Sequence, residues 1–218
     1  MDGSSRDKAT RRVLPLAMAL GLGCLAAREA RAAEALDEVK TTVDQVLGIL
    51  ADPALKGPSR TTERRAKMRT VILERFGFDE MAKRALGVEW AARTPAERKE
   101  FVSLFTDLLE RSYISRIEDY GGEKIVYQGQ TVDGDHAEVH SDIIKGGERT
   151  QIVYRLLRHP GGWQVYDLVI DGVSLVNNYR VQFGQIIGQS GYAGLLKKLR
   201  AKQEALNEED EPDESDDG

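Results

Sequence analysis

The feature that most restricts the fold is a change of hydrophobic period within the chain. Before residue 118 apolar side chains recur every three or four positions, from 124 to 170 they follow the period of strands, and after 172 the longer period returns. The middle block reads as strands over 124–132, 135–145, 148–158 and 162–170. Between them stand Asp133-Gly134, Gly146-Gly147 and His159-Pro160-Gly161-Gly162, which have the residue chemistry of tight hairpin turns. A parallel crossover needs a dozen or more residues, so turns this short dictate an antiparallel meander. Helices, then a sheet, then helices is an α+β order and excludes a doubly wound parallel sheet.

The flanking helices are legible from their stripes. Leu36, Val39, Val43, Val46, Leu47 and Leu50 mark the first. Met68, Val71, Ile72 and Phe76 mark a second, and Phe78, Met81, Ala82, Ala85 and Leu86 a third that ends at Gly87. Thr94-Pro95-Ala96-Glu97 is a capping box with proline at the first helical position, and the helix it opens carries apolar residues from Phe101 to Ile117. Val173, Val176, Tyr179, Phe183, Ile186 and Ile187 mark a later helix, and Leu195, Leu196 and Leu199 a last one. The predicted architecture is N-terminal helices on a curved four-stranded antiparallel meander sheet, followed by C-terminal helices.

In the second strand Ala137, Val139, Ser141 and Ile143 alternate with His136, Glu138, His140 and Asp142, so one face is wet. The third and fourth are apolar on both faces and are expected to be covered on both sides. With the wide apolar face of the 101–117 helix, this is more apolar surface than one tight core uses. A cavity would take up the excess, and so would a filled core; periodicity does not separate the two.

Charge divides the chain further. The net charge of -5 combines +3 over residues 1–33, a balanced body over 34–206 and eight acids without a base over 207–218. The head reads as a secretory signal: basic residues to Arg12, an apolar stretch from Val13, then Ala30-Arg31-Ala32 as a cleavage site. An uncleaved anchor, twin-arginine export around Arg11-Arg12 and lipoprotein processing at Cys24 are the other readings it permits. Cleavage near Ala32 removes Cys24, the sole cysteine, and with it any thiol nucleophile or thiolate ligand. Residues 207–218 have nothing apolar to bury and repel one another, so a disordered tail is expected. That leaves 34–206 as one domain.

Constellations for catalysis are sparse. His136, Glu138, His140 and Asp142 share a strand face, but a step of about 6.6 Å between neighbours is too wide for one zinc ion without other strands. Gly172-Val173-Ser174 precedes a helix like a nucleophile elbow but lacks the second glycine, and a serine there more often caps the helix. Asp167 with Asp171, and Glu118 with Asp119, are the paired acids. Lys56, Arg60, Arg64, Arg65, Lys67 and Arg69 form a basic stretch suited to anionic headgroups or an acidic surface; export argues against nucleic acid.

Residues 78–87, Trp90, Thr94-Pro95-Ala96-Glu97-Arg98 and the run from Phe101 to Tyr113 resemble the front of the MlaC family. Trp163-Gln164-Val165-Tyr166-Asp167, then 172–180 and Phe183, resemble that family's final strand and following helix. The resemblance extends in register over 35–204. MlaC proteins, also known as toluene-tolerance auxiliary components, are periplasmic phospholipid-binding proteins. The resemblance implies a carrier that moves phospholipid between an outer-membrane lipoprotein–porin complex and an inner-membrane ABC transporter with its lipid-binding membrane subunit, maintaining outer-membrane lipid asymmetry. It implies an apolar cavity enclosed between helices and sheet that holds the acyl chains with the headgroup outside, and no catalysis, no metal and no cofactor beyond the phospholipid cargo.

An acyl chain of about 16 carbons gains about 13 kcal/mol on leaving water, which calls for an enclosed site. The candidate wall residues are Phe76, Met81, Leu86, Trp90, Phe105, Leu108, Leu109, Tyr113, Val139, Ile143, Ile152, Tyr154, Val165, Val169, Val176, Tyr179 and Phe183. Core and wall share this composition. The competing expectation is an enzyme on a cone-shaped α+β scaffold, with an acid in the cavity, Asp167 for preference. A protein-binding adaptor using the tail and basic stretch is a third.

Overall fold

The computed structural model describes residues 19–210, with side chains over 35–205. The signal expected over 1–33 and the tail expected over 207–218 lie outside those side chains. Helix α1 (Ala19–Ala51) leads through two 3-10 turns to α2 (Thr61–Arg75) and α3 (Phe78–Leu86). After a further 3-10 turn comes α4 (Pro95–Glu118), then β1 (Lys124–Asp133), β2 (His136–Lys145), β3 (Glu148–His159), β4 (Gly162–Ile170), β5 (Val173–Ser174) and α5 (Leu175–Asp210). Among the described residues no helix is long and apolar enough to cross a membrane.

Local chemistry sets the boundaries. At the start of α4 the Glu97 amide donates to the Thr94 hydroxyl at 3.3 Å, and the Glu97 carboxylate accepts from the Thr94 amide at 2.7 Å, which completes the capping box. Gly87, at φ 62°, ends α3 in a conformation that a side chain would resist. The strands form one antiparallel sheet in the order β1-β2-β3-β4-β5. The sheet therefore has one strand more than expected, because Val173 and Ser174 pair with Ile170 and Val169. The last helices run as one element, broken in angle at Gly191, where φ is 69° and ψ 176°.

Register sorts the sheet into two faces. Val139 stands opposite Tyr154, and Leu156 lies opposite Ala137 on one side and Val165 on the other. Those residues, with Trp163, form a core with Ala35 and Val39 of α1. The Leu36 amide donates to Gln130 at 2.8 Å, and the Trp163 amide to Glu38 at 2.9 Å, so α1 is fastened at both sides of this core. The opposite face carries His136, Glu138, His140 and Asp142. Val153 and Leu157 share that face and are only half-buried, so β3 is not covered on both sides as expected; only Leu156 is fully buried in it. Two register shifts, at Tyr127/Gly129 and at Arg155/Leu156, bend the strands.

A second core lies among α3, α4 and α5. Phe101 and Phe105 stack nearly parallel, and Tyr179 and Phe183 join them edge-to-face and tilted, at centroid distances of 5.3 to 5.8 Å. Leu86, Leu104, Val176 and Leu195 close around them. Between α2 and α3 the chain touches the outer edge of β4: Phe76 bridges Val165 in parallel, and the Gly77 amide donates to the Val165 carbonyl at 2.9 Å.

Candidate functional site

A pocket opens where the two cores meet. Helix α2 contributes Arg69, Ile72 and Leu73 at helical spacing, and Phe76 follows just beyond its end. Helix α4 contributes Thr106, Leu109, Glu110, Tyr113, Ile114 and Ile117, a second helical stripe facing the first. Phe78 and Met81 of α3, Leu168 of β4 and Leu175 of α5 complete the wall. The space measures about 640 Å³ when the open solvent at its mouth is counted with it. Its surface is almost wholly carbon, so it suits an apolar ligand. Phe76 and Phe78 stack at 6.0 Å, and Leu73 is 40% exposed, which puts it at the mouth.

The mouth is framed by charge. Arg69 pairs with Glu110 at 2.5 Å and with Asp107 at 3.6 Å. Further along, Arg64 and Arg65 both bind Glu118, at 2.6 and 2.9 Å. Helix α2 rests chiefly on α1, and these long side chains carry it across to α4. Burial works to raise the Glu118 pKa, but hydrogen bonds from Arg65 and then Arg64 outweigh it and hold the carboxyl below its ordinary range. Burial, with the nearby Tyr179 phenol, pushes Tyr113 upward. The basic stretch therefore binds acids of this chain: the three arginines reach α4, while Arg60 and Lys67 pair with Glu63.

Of the residues expected to form a wall, Phe76, Met81, Leu109 and Tyr113 come together here. Leu86, Phe105, Val176 and Phe183 are buried in the helical core, with Trp90, Leu108 and Tyr179 packed against it. Val139 and Val165, with Tyr154 beside them, belong to the core beneath α1. Ile143 and Ile152 are half-buried on that same sheet face, and Val169 is buried in β4. The sheet thus contributes Leu168 to this pocket, and three helices make most of the wall.

Ile72, Ile114 and Ile117, which also line the pocket, belong to apolar stripes whose period does not separate wall from core. Thr106, Arg69 and Glu110 gave no such signal. The helical spacing of 106, 109, 110, 113 and 117 was the available one: it defines a stripe displaced from Phe101, Leu104 and Phe105, which face the core.

The other constellations resolve into structure. The Ser174 hydroxyl donates to Asp167 at 2.7 Å and accepts from the Asn177 amide at 3.0 Å, so it caps α5. Asp167, 4% exposed, also accepts from the Val176 amide at 3.0 Å and from Arg155 at 3.3 Å. It is not among the residues lining the pocket. Glu138 binds Arg155, and Asp142 binds Gln128 and Arg149. Among the described residues no group of His, Cys, Asp and Glu is arranged to hold a metal ion.

Comparison with known proteins gives three findings. A family model described as MlaC protein matches residues 40–201. The chain is 23% identical over 142 residues to the intermembrane phospholipid transport system binding protein MlaC of Haemophilus influenzae, a match spanning 62% of this chain and 66% of that protein. The fold is similar to that of the phospholipid-binding protein from Ralstonia solanacearum, solved in complex with a phospholipid. The TM-score is 0.72 at 28% identity, covering 80% of this chain and 99% of the other.

Proposed function

Because the chain belongs to the MlaC protein family, we propose that it is a phospholipid carrier, exported to the periplasm by its N-terminal segment and working between the two membranes. Its lipid-binding domain is 34–206. Its partners are an outer-membrane lipoprotein–porin complex and an inner-membrane ABC transporter with a lipid-binding subunit. The cargo is phospholipid, and the outcome is outer-membrane lipid asymmetry.

The observation that carries this reading is the carbon-lined pocket with an open, charge-framed mouth. Acyl chains enter between α2 and α4 and lie against Phe76, Met81, Leu109 and Tyr113, while the headgroup stays outside. Each methylene withdrawn from water contributes about 0.8 kcal/mol, and the pocket offers no polar group along most of its depth to oppose it. The enzyme reading puts Asp167 in the cavity. Asp167 has its carboxylate engaged by Ser174, Val176 and Arg155 at the start of α5, which gives it a structural task instead.

Native mass spectrometry of protein recovered from the periplasm tests the proposal. Adducts whose masses match phospholipids, released on organic extraction, are expected. A homogeneous unliganded mass across preparations, with no lipid in the extract, refutes it.

A further inference from the structure

We propose that the pocket mouth selects the headgroup. Arg69 receives the lipid phosphate, Glu110 and Asp107 receive a headgroup ammonium, and zwitterionic phospholipid is preferred over anionic. This rests on the acyl pocket described above, and adds which lipids it takes.

Arg69 and Glu110 both line the pocket, through their carbon stems, and their charged ends pair with each other, so a chain lying along those stems would bring its headgroup to that pair. Asp107 lies one helical turn before Glu110 on α4 and also reaches Arg69. Their side chains are 43, 24 and 26% exposed for Arg69, Asp107 and Glu110, accessible to a headgroup without being fully hydrated. One cation and two anions leave this cluster at -1. The compensating cluster, Arg64 and Arg65 on Glu118, is eight residues further along α4. On α2, though, Arg65 stands one turn, about 6 Å, from Arg69, within the Debye length of about 8 Å at physiological salt, so the two clusters feel each other.

A zwitterionic headgroup fits this cluster by exchange. Its phosphate takes the forked guanidinium of Arg69, a geometry that arginine matches well. The carboxylates released from Arg69 then take the ammonium, so no charge is left buried without a partner. A glycerol headgroup brings the phosphate alone. It displaces Glu110 and Asp107 from Arg69 and brings no cation to replace it.

The test uses the full mature protein and vesicles with equal amounts of dioleoyl phosphatidylethanolamine and dioleoyl phosphatidylglycerol. Because both lipids share one membrane, attraction of the protein to the surface is the same for each. The protein is loaded, re-isolated, and its lipids are quantified by mass spectrometry. A partly exposed ion pair is worth at most about 1 kcal/mol, so an ethanolamine preference of about fivefold is expected at low salt. It should shrink towards parity at 1 M salt, where the Debye length is about 3 Å. The double variant D107N/E110Q moves the cluster from -1 to +1 and should bring the ratio to parity or reverse it.

A fluorescent fatty acid, which has neither phosphate nor ammonium, reports on the acyl pocket independently. Equal uptake of both lipids by the parent protein, with the fatty acid still bound, overturns the headgroup inference and leaves the carrier reading standing. An unchanged preference in the folded double variant overturns it too. Failure to bind either lipid or the fatty acid overturns the pocket itself, and this inference with it.

Discussion

Replacing Thr106 by tryptophan sets the empty pocket against a filled core. Thr106 is 7% exposed, on the inner wall of the pocket, and small. An indole there projects into space that an acyl chain would use. If it denies one chain of about 16 carbons half its depth, about 6 of the 13 kcal/mol of transfer energy disappears. Affinity then falls about 10⁴-fold. The effect on folding points the other way. Inserting bulk into a packed core costs about 1–3 kcal/mol, whereas filling open space costs little. Thr106→Trp should therefore melt near the parent temperature by scanning fluorimetry, yet carry almost no lipid by native mass spectrometry. Parental lipid content in a folded variant would refute the placement of the chains. A large drop in melting temperature would show that Thr106 faces packed atoms.

Three further substitutions test the framework around the pocket. Asp167→Ala leaves the Val176 amide and the Ser174 hydroxyl at the start of α5 without their acceptor and should cost about 3 kcal/mol in urea denaturation. Gly162→Ala should destabilise by about 2 kcal/mol, since φ is 119° and a Cβ would stand 2.8 Å from the Glu38 carboxylate that accepts from the Trp163 amide. Glu118 has a folded pKa below its ordinary 4.5, so its pairing with Arg64 and Arg65 is fully present above that pH and lost as pH falls through the folded value. Glu118→Gln should cost about 2 kcal/mol at pH 7 and should lessen the loss of stability between pH 7 and pH 3, by chemical denaturation at each pH.

The meander was legible because its determinants are local. Asp133-Gly134 and Gly146-Gly147 specify turns through their own backbone freedom, and the alternation in β2 assigns its faces without reference to any other element. β5 escaped because two residues carry no period. The pocket was harder for a different reason. Phe105 and Leu109 are both apolar residues of α4, one helical step apart, yet Phe105 meets Tyr179 and Phe183 while Leu109 also lines open space. That difference lies in the neighbouring helices and leaves no mark on either residue. The mouth was hidden by distance along the chain: Arg69 and Glu110 meet across 41 positions, so Arg69 reads only as one of a basic stretch and Glu110 as an ordinary solvated charge.

The contact between Gly77 and the edge of β4 has a kinetic consequence. It ties the junction of α2 and α3, both walls of the pocket, to one carbonyl of the sheet. The Gly77 amide belongs to no ladder, so its hydrogen exchange can be followed apart from that of the strands. Parting α2 from α4 at the ion pairs while this tie holds leaves Gly77 protected. Lifting both helices from the sheet exposes it. Exchange at this single amide therefore distinguishes two ways of opening that lipid content alone would report as the same event.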